Sequence, residues 1–230
     1  MTRVIDFKRP ESFRIRWLEA NDHANSGQLE KALGIFESLA ADGYAEACVE
    51  IGNIFERGGD GVTQNLDAAR RWYMNAIEEI DDDYAYIGLA RLALQGYSDA
   101  GTPLDAVDYL RRACDANNPV AMTMLGTLYH SGRVVPKDLH QAAQLYERAW
   151  KQGYVLPLVY LRKVKIAQGH YFVGLWLYLK VIWVAYHLMR KDSSDPRLWN
   201  YVAGQKGSGS HGTRLSQNTP KNRGLNTSEW

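Results

Sequence analysis

The sequence of 230 residues has few of the residue patterns that build metal sites, disulfide frameworks or reaction centres. Its two cysteines, Cys48 and Cys114, have no CxxC spacing and no plausible disulfide framework, so we predict two reduced core thiols. The six histidines form no HExxH motif, and a GxxxxGK[ST] phosphate loop is absent. The acidic stretch 78–85 lacks the calcium-loop pattern. We therefore predict no catalytic residue, no metal, no cofactor and no small-molecule substrate.

Acidic residues are missing from one long part of the chain. Between Arg148 and Lys191 there are eight basic residues and no acidic residue, whereas sixteen acidic and six basic residues lie between Glu37 and Asp115. The net charge of +1 therefore hides a chain with two electrically different ends. Because the acidic part would repel a long polyanion, we do not expect a nucleic acid partner.

The first residues lack the apolar run that a secretory signal needs. Asp6 and Glu11 also disfavour a mitochondrial transit peptide. We expect a cytoplasmic chain, with the inner face of the cytoplasmic membrane as a further location.

An internal repeat with a period of 36 to 38 residues organises the chain. Segments 45–58, 83–96 and 119–132 align on small residues, as do segments 65–76, 102–113 and 138–149. The aligned small residues of the first set are Ala47, Ala85 and Ala121, then Gly52, Ala90 and Gly126; those of the second set are Ala69, Ala106 and Ala142, then Ala76, Ala113 and Ala149. Large residues follow three and four positions later, which is the spacing of a helix face. Each unit is therefore predicted to be two helices that approach closely at these small residues.

Capping residues mark the ends of the predicted helices. Asn65, Thr102 and Asp138 each precede a second helix, where a side-chain oxygen can accept from the first-turn N–H groups. Pro103 is predicted to be the first residue of its helix. A glycine such as Gly132 ends each first helix, as a left-handed C-cap requires.

Weaker units extend the repeat in both directions. The segment 28–44 resembles a second helix, and its first helix is predicted to begin near Glu11. A later unit begins with the segment 156–169 and ends in the segment 171–191. We predict about five helix pairs, enough to bury a common core.

The pattern A-x-A-x4-G-x5-G, a loop such as GRVVPKD (132–138), and A-x2-hydrophobic-aromatic-x2-A resembles the Sel-one-like repeat, a relative of the tetratricopeptide repeat. The third unit matches best, whereas the second has Ala90 in place of the first glycine. The resemblance covers roughly residues 16–170. It implies an all-α, right-handed α-solenoid that acts as a scaffold or adaptor for other proteins and carries no catalytic residues.

The segment YFVGLWLYLKVIWVAYHLMRK (171–191) is the most apolar part of the chain, and three interpretations of it stay open. It could cross a bilayer, although the central Lys180 brings the insertion free energy near zero. It could pack on the preceding unit, burying leucine and aromatic residues and exposing Lys180. It could instead lie on an anionic membrane, because tryptophan, lysine and arginine suit the headgroup layer. The predicted contact residues are Trp176, Lys180, Trp183, His187, Arg162, Lys163, Lys165, Arg190 and Lys191.

The predicted organisation is an N-terminal segment (1–15), a repeat solenoid (16–170), the apolar helix (171–191), and a turn at Pro196 with a disordered tail (192–230). The motif DPRL (195–198) looks like the ending of some bacterial repeat proteins associated with surface-polysaccharide assembly. We therefore expect a scaffold that binds protein partners at the cytoplasmic face of a bacterial membrane. The alternative is a wholly soluble adaptor whose apolar helix docks on a partner protein.

Overall fold

The computed structural model describes residues 9–191, apart from the side chains of residues 188, 189 and 191. Within this range the chain forms α-helices and one 3-10 helix (Ser98–Ala100), and it has no β-strand. The α-helices are α1 (Glu11–Asn25), α2 (Leu29–Ala41), α3 (Glu46–Arg57), α4 (Leu66–Ile80), α5 (Asp83–Leu94), α6 (Asp105–Asp115), α7 (Pro119–Ser131), α8 (Leu139–Lys151), α9 (Leu156–Ala167) and α10 (Tyr171–Lys191). The all-α prediction is confirmed. The predicted tail (192–230) lies outside the described residues.

Consecutive helices pair, and the pairs stack in chain order. Helix α1 packs on α2, α3 on α4, α5 on α6, α7 on α8 and α9 on α10. The second helix of each of the first four pairs also packs on the first helix of the next pair. The structure is therefore an α-solenoid, and the prediction of about five helix pairs is confirmed.

Side-chain caps begin several of the second helices. Asn65 Oδ1 accepts from the N–H of Ala68, and Asp138 Oδ1 accepts from the N–H groups of His140 and Gln141. Thr102 forms a reciprocal pair with Asp105, since Thr102 N–H donates to Asp105 Oδ2 at 2.7 Å and Asp105 N–H donates to Thr102 Oγ1 at 3.3 Å. In this capping box Thr102 is the N-cap, and its carbonyl also accepts from the N–H of Ala106, so Pro103 takes the first helical position as predicted, although the assigned range of α6 begins at Asp105.

The limits of the first helices follow from proline and glycine. Pro10 precedes α1, so helix begins at Glu11, within the segment that we predicted to lie before the solenoid. Gly132 ends α7 in the left-handed region, with φ 69° and ψ 21°. Gly58 ends α3 with φ 61° but an extended ψ of −177°, because the chain turns there into the hydrogen-bonded loop between Gly59 and Val62.

Small residues let the two helices of a pair approach closely. A Cβ atom on Gly126 in α7 would lie 2.8 Å from Cε1 of Tyr146 in α8, and one on Gly52 in α3 would lie 2.5 Å from Cε1 of Tyr73 in α4. The second repeat has Ala90 and Leu110 at the corresponding positions, both fully buried. Where the first helix of the pair has alanine instead of glycine, the second helix has leucine instead of the larger tyrosine, so the smaller side chain makes room for the added methyl group. The ten alanines that we predicted to pack between helices all have 0% exposure.

A buried polar cluster joins the first and second repeats. Arg91 of α5 donates from Nη2 to Glu56 Oε2 of α3 at 2.6 Å and to Asn53 Oδ1 at 2.7 Å. The Tyr73 hydroxyl of α4 donates to Glu56 Oε2 at 2.7 Å. Burial opposes the ionisation of Glu56, but the hydrogen bonds and charge of Arg91 outweigh it, so the pKa of Glu56 is below its ordinary value. The cluster therefore neutralises two charges that lie between stacked repeats.

Candidate functional site

The last helix, α10, is held on one side by the helix before it. Gly174, Leu177 and Val184 are buried, and their spacings of three and seven positions place them on one face of the helix. A Cβ atom on Gly174 would lie 2.6 Å from Cγ1 of Ile166 in α9, so the missing side chain lets the two helices approach closely. This inner face differs from the predicted packing, because it buries two aliphatic side chains and a glycine rather than the aromatic residues.

The opposite side of α10 is apolar and exposed to solvent. We define the outer face of α10 as Phe172, Leu175, Trp176, Leu179, Ile182, Trp183 and Tyr186, whose exposures range from 43% to 90%. At about 100° per residue these positions fall within an arc of about 120°. Folded monomers rarely expose a contiguous apolar patch of this kind, and such patches mark interaction sites.

The position of α10 in the stack explains why this face is uncovered. Helix α8, for example, is sandwiched between α7 of its own pair and α9 of the next. In the described part of the chain α10 packs extensively on α9 alone, since no further pair follows it there. In each of the four earlier pairs, the next pair covers the side of the second helix (α2, α4, α6 or α8) that corresponds to the exposed side of α10.

The other end of the stack has a different surface. Helix α1 also lacks a neighbour on one side within residues 9–191, but acidic residues lie on that side. Its exposed side chains include Glu11, Glu19 and Asp22, with Ile15 and Leu18 beside them. The outer surface of α1 therefore mixes acidic with apolar side chains, whereas that of α10 is apolar.

Cations lie against aromatic rings at both edges of the outer face. The half-buried Lys180 places its Nζ 4.8 Å from the ring centre of Trp176 and 5.1 Å from that of Trp150 in α8. On the other edge, the guanidinium of Arg162 in α9 lies 5.0 Å from the ring centre of Tyr178. Such cation–π contacts place each charge beside the apolar strip without burying it.

The predicted contact residues occupy several different environments. Trp176, Trp183 and His187 are exposed on α10, and the rings of Trp183 and His187 lie 4.5 Å apart. Lys163 is exposed on α9, whereas Lys165 pairs with Glu147 of α8 at 3.4 Å. The structure therefore brings Arg162, Trp176, Lys180, Trp183 and His187 to one surface and gives Lys165 a partner of its own. Arg190 is exposed at the end of α10, and the side chain of Lys191 lies outside the description.

Some residues of this surface carry no signal in the sequence. Trp150 belongs to α8, thirty positions before Lys180, and only folding brings the two together. Tyr178 lies on the edge that faces Arg162, again through contact between different helices. Phe172 is the most exposed residue of the outer face, at 90%, but in an almost wholly apolar segment its spacing does not distinguish it from buried residues such as Leu177.

Other surface features of residues 9–191 are less distinctive. A cavity of about 60 Å³ adjoins the polar cluster of Asn53, Glu56 and Arg91, and an open cleft of about 480 Å³ lies between His140 and His170. Among the described residues no cluster of histidine, cysteine, aspartate or glutamate could hold a metal ion. Over the same range no helix combines the length and the apolarity that crossing a bilayer requires.

Comparison with known sequences identifies the repeat in the centre of the chain. The Sel1 repeat matches residues 45–79, 84–118 and 119–154, which are the pairs α3–α4, α5–α6 and α7–α8. Cytochrome c oxidase assembly factor 7 of Xenopus tropicalis is 26% identical over 117 residues, covering 49% of this chain and 51% of that protein. The chain thus spans about half the length of this curated relative.

Solved structures share the stacked-hairpin fold. A Sel1 repeat protein from Oxalobacter formigenes superimposes with a TM-score of 0.53 at 23% identity, covering 66% of this chain and 64% of the other. A protective antigen of uropathogenic Escherichia coli with an SLR fold gives a TM-score of 0.54 at 20% identity, covering 87% of this chain and 50% of the other. At these identities the likeness shows the fold alone.

Proposed function

We propose that this chain, which contains three Sel1 repeats, is a non-enzymatic scaffold that holds envelope-assembly proteins together at the cytoplasmic face of a bacterial membrane. Sel1 repeats in general mediate protein–protein interactions. The stacked pairs α1–α9 supply the protein-binding body, and α10 supplies the attachment. The cargo that we propose is the machinery of surface-polysaccharide assembly.

The outer face of α10 is the observation that carries this proposal. Seven large apolar side chains are exposed on the last helix of the described stack, whereas each earlier second helix is covered by the next pair. Leaving them in water has a free-energy cost that a covering surface would remove, at about 25 cal/mol per Å² of apolar area. A permanently attached scaffold has a use for such a face, and a freely diffusing enzyme does not.

Two further points support an assembly role. The curated relative is itself named an assembly factor, and we extend that kind of role to this chain. The motif DPRL (195–198) directs the proposal to surface polysaccharide, through its likeness to the ending of some bacterial repeat proteins.

A second candidate function is a wholly soluble adaptor that docks α10 on a partner protein. The spacing of Phe172, Leu175, Trp176, Leu179, Ile182 and Trp183 favours it, since apolar residues at these intervals also pack against a partner helix. Both candidate functions use the outer face of α10 for docking. In the first a membrane covers this face, and in the second a partner protein does.

Fractionation of the native host tests the proposal. We expect the tagged chain in the membrane fraction, with partner proteins captured after mild crosslinking, and we expect Leu179→Glu to move it to the soluble fraction. Leu18→Glu, the same change at an exposed leucine of α1, serves as the matched control and should stay with the membrane. Recovery of the wild-type chain only in the soluble pool would favour the second candidate. Turnover of a small molecule by the purified chain would contradict both.

A further inference from the structure

Resting on the proposed function, we infer that the outer face of α10 binds the surface of an anionic lipid bilayer, with the helix lying in the plane of the membrane. The apolar strip enters the boundary between headgroups and acyl chains. The cation–aromatic pairs at its two edges lie at the level of the lipid phosphates.

The arrangement of residue types across α10 carries this inference. Leu179 and Phe172 lie at the centre of the exposed arc, with Tyr186 and Trp183 beside them, where a helix in the plane of a membrane is buried most deeply. Trp176 with Lys180 lies at one edge, and Tyr178 with Arg162 lies at the other. Tryptophan, tyrosine, lysine and arginine are the residues that place an apolar body in lipid and a polar end among headgroups.

The basic residues around the apolar strip indicate that the bound lipid is anionic. The run from Arg148 to Lys191 contains eight basic residues and no acidic residue. Lys163 and Arg190 are exposed in this run, and Lys180 and Arg162 flank the strip. Each basic residue near an anionic surface strengthens binding by about five-fold. Zwitterionic lipid offers no such attraction.

Two other occupants fit the same observations less well. A second copy of this chain would bring two acid-free basic ends together, and like charges at an interface oppose association. The 39 residues after Lys191 are rich in glycine, serine, asparagine and threonine, and only four of their seven large apolar residues lie close together in the sequence (198–202), against seven on the outer face. An anionic bilayer is the occupant that matches both the apolar strip and the basic residues around it.

Vesicle flotation with the purified full-length chain tests the inference directly. We expect binding to vesicles of phosphatidylglycerol and phosphatidylcholine at low salt, weaker binding at high salt, and little binding to phosphatidylcholine alone. Leu179→Glu should reduce binding at least ten-fold, whereas Leu18→Glu should leave it unchanged. Circular dichroism of each variant checks that the helices remain intact.

The two edges can be tested separately from the apolar strip. Lys180→Met and Arg162→Met should each weaken binding to the anionic vesicles by about five-fold. Lys31→Met removes an exposed charge from α2 and should have no effect. Bromine atoms high on the lipid acyl chains should quench tryptophan fluorescence more than bromine atoms near the bilayer centre, and Trp183→Phe should reduce that quenching.

Several outcomes would overturn the inference. The folded chain could fail to bind anionic vesicles at low salt, or Leu179→Glu could bind as well as the wild type. Equal binding to both lipid mixtures would contradict the anionic chemistry. A wild-type dimer by light scattering that Leu179→Glu converts to monomer, with no vesicle binding, would identify a second copy as the occupant. If the tagged chain still captures partners at the native membrane while vesicle binding fails, the scaffold function stands and only the lipid contact is wrong.

Discussion

Arg91 lies in the second repeat and Glu56 in the first, yet Arg91 Nη2 is 2.6 Å from Glu56 Oε2. The two side chains form an ion pair that is largely buried between the repeats. The side chains of Arg91 and Glu56 are only 15% and 7% exposed, so water cannot solvate either charge when its partner is removed. The contact links α5 to α3 across the boundary between the first two repeats, beside the packing of α4 on α5.

Loss of Arg91 should therefore destabilise the protein strongly. We expect Arg91→Leu to lower the free energy of unfolding by about 3–5 kcal/mol, because Glu56 is left buried without its partner. Urea denaturation followed by circular dichroism measures the change. Arg16→Leu, which breaks the more exposed pair with Asp42, is the control and should cost no more than about 1 kcal/mol. Equal effects of the two substitutions would contradict the role of burial.

The same cluster predicts how stability depends on pH. The pKa of Glu56 is lower in the folded chain than its ordinary value of 4.5, so the unfolded chain takes up the proton first as the pH falls. Stability from this group is present above about pH 4.5 and is lost as the pH falls through the folded-state pKa. Urea midpoints should be level near neutral pH and should decrease below about pH 4.5. Glu56→Gln should be less stable at neutral pH and should lose less on acidification; an unchanged acid slope would exclude this group.

Close approach of α7 and α8 makes Gly126 sensitive to a single methyl group. We expect Gly126→Ala to cost about 1–3 kcal/mol, because its Cβ would overlap the ring of Tyr146. Gly34 is also within a helix but has open space around it, so Gly34→Ala should stabilise the chain by about 0.5–1 kcal/mol. Thermal and urea unfolding of the two variants should move in opposite directions. A shift of the same sign in both would rule out the steric explanation.

The two faces of α10 should respond differently to truncation. Leu177 is buried against α9, so Leu177→Ala should weaken the docking of α10 by about 2–3 kcal/mol. Leu179 is 58% exposed on the outer face, so Leu179→Ala should change stability by no more than about 0.5 kcal/mol. Hydrogen exchange of the α10 amides measures both, since each repeat depends mainly on its neighbours. Matching exchange rates in the two variants would show that the faces are assigned wrongly.

Local signals in the sequence explain why the helix pairs could be predicted. The caps at Asn65 and Asp138 and the glycine at 132 act within a few residues, and the repeat period aligns them three times. The capping box of Thr102 with Asp105 is a local signal of the same kind, and it puts Pro103 at the start of α6 as predicted.

The outer face of α10 depended on information that a sequence does not hold. Nearly every residue from 171 to 189 is apolar, so hydrophobic periodicity cannot mark which side contacts α9. Gly174 decides it, because its missing side chain admits Ile166. The contacts of Lys180 with Trp150 and of Arg91 with Glu56 join residues thirty or more positions apart, and no local pattern predicts them.

The matched pairs of Gly126 with Tyr146 and of Ala90 with Leu110 also constrain how such a chain can evolve by duplication. A crossover in the loop between hairpins would transfer both partners together and keep their volumes complementary. A crossover in the loop within a hairpin would set a glycine against a leucine and leave a void, or an alanine against a tyrosine and force a clash. Exchange of a complete hairpin therefore keeps these pairs intact, and the close approach of Gly88 in α5 to Tyr73 in α4 further restricts which hairpins can be neighbours.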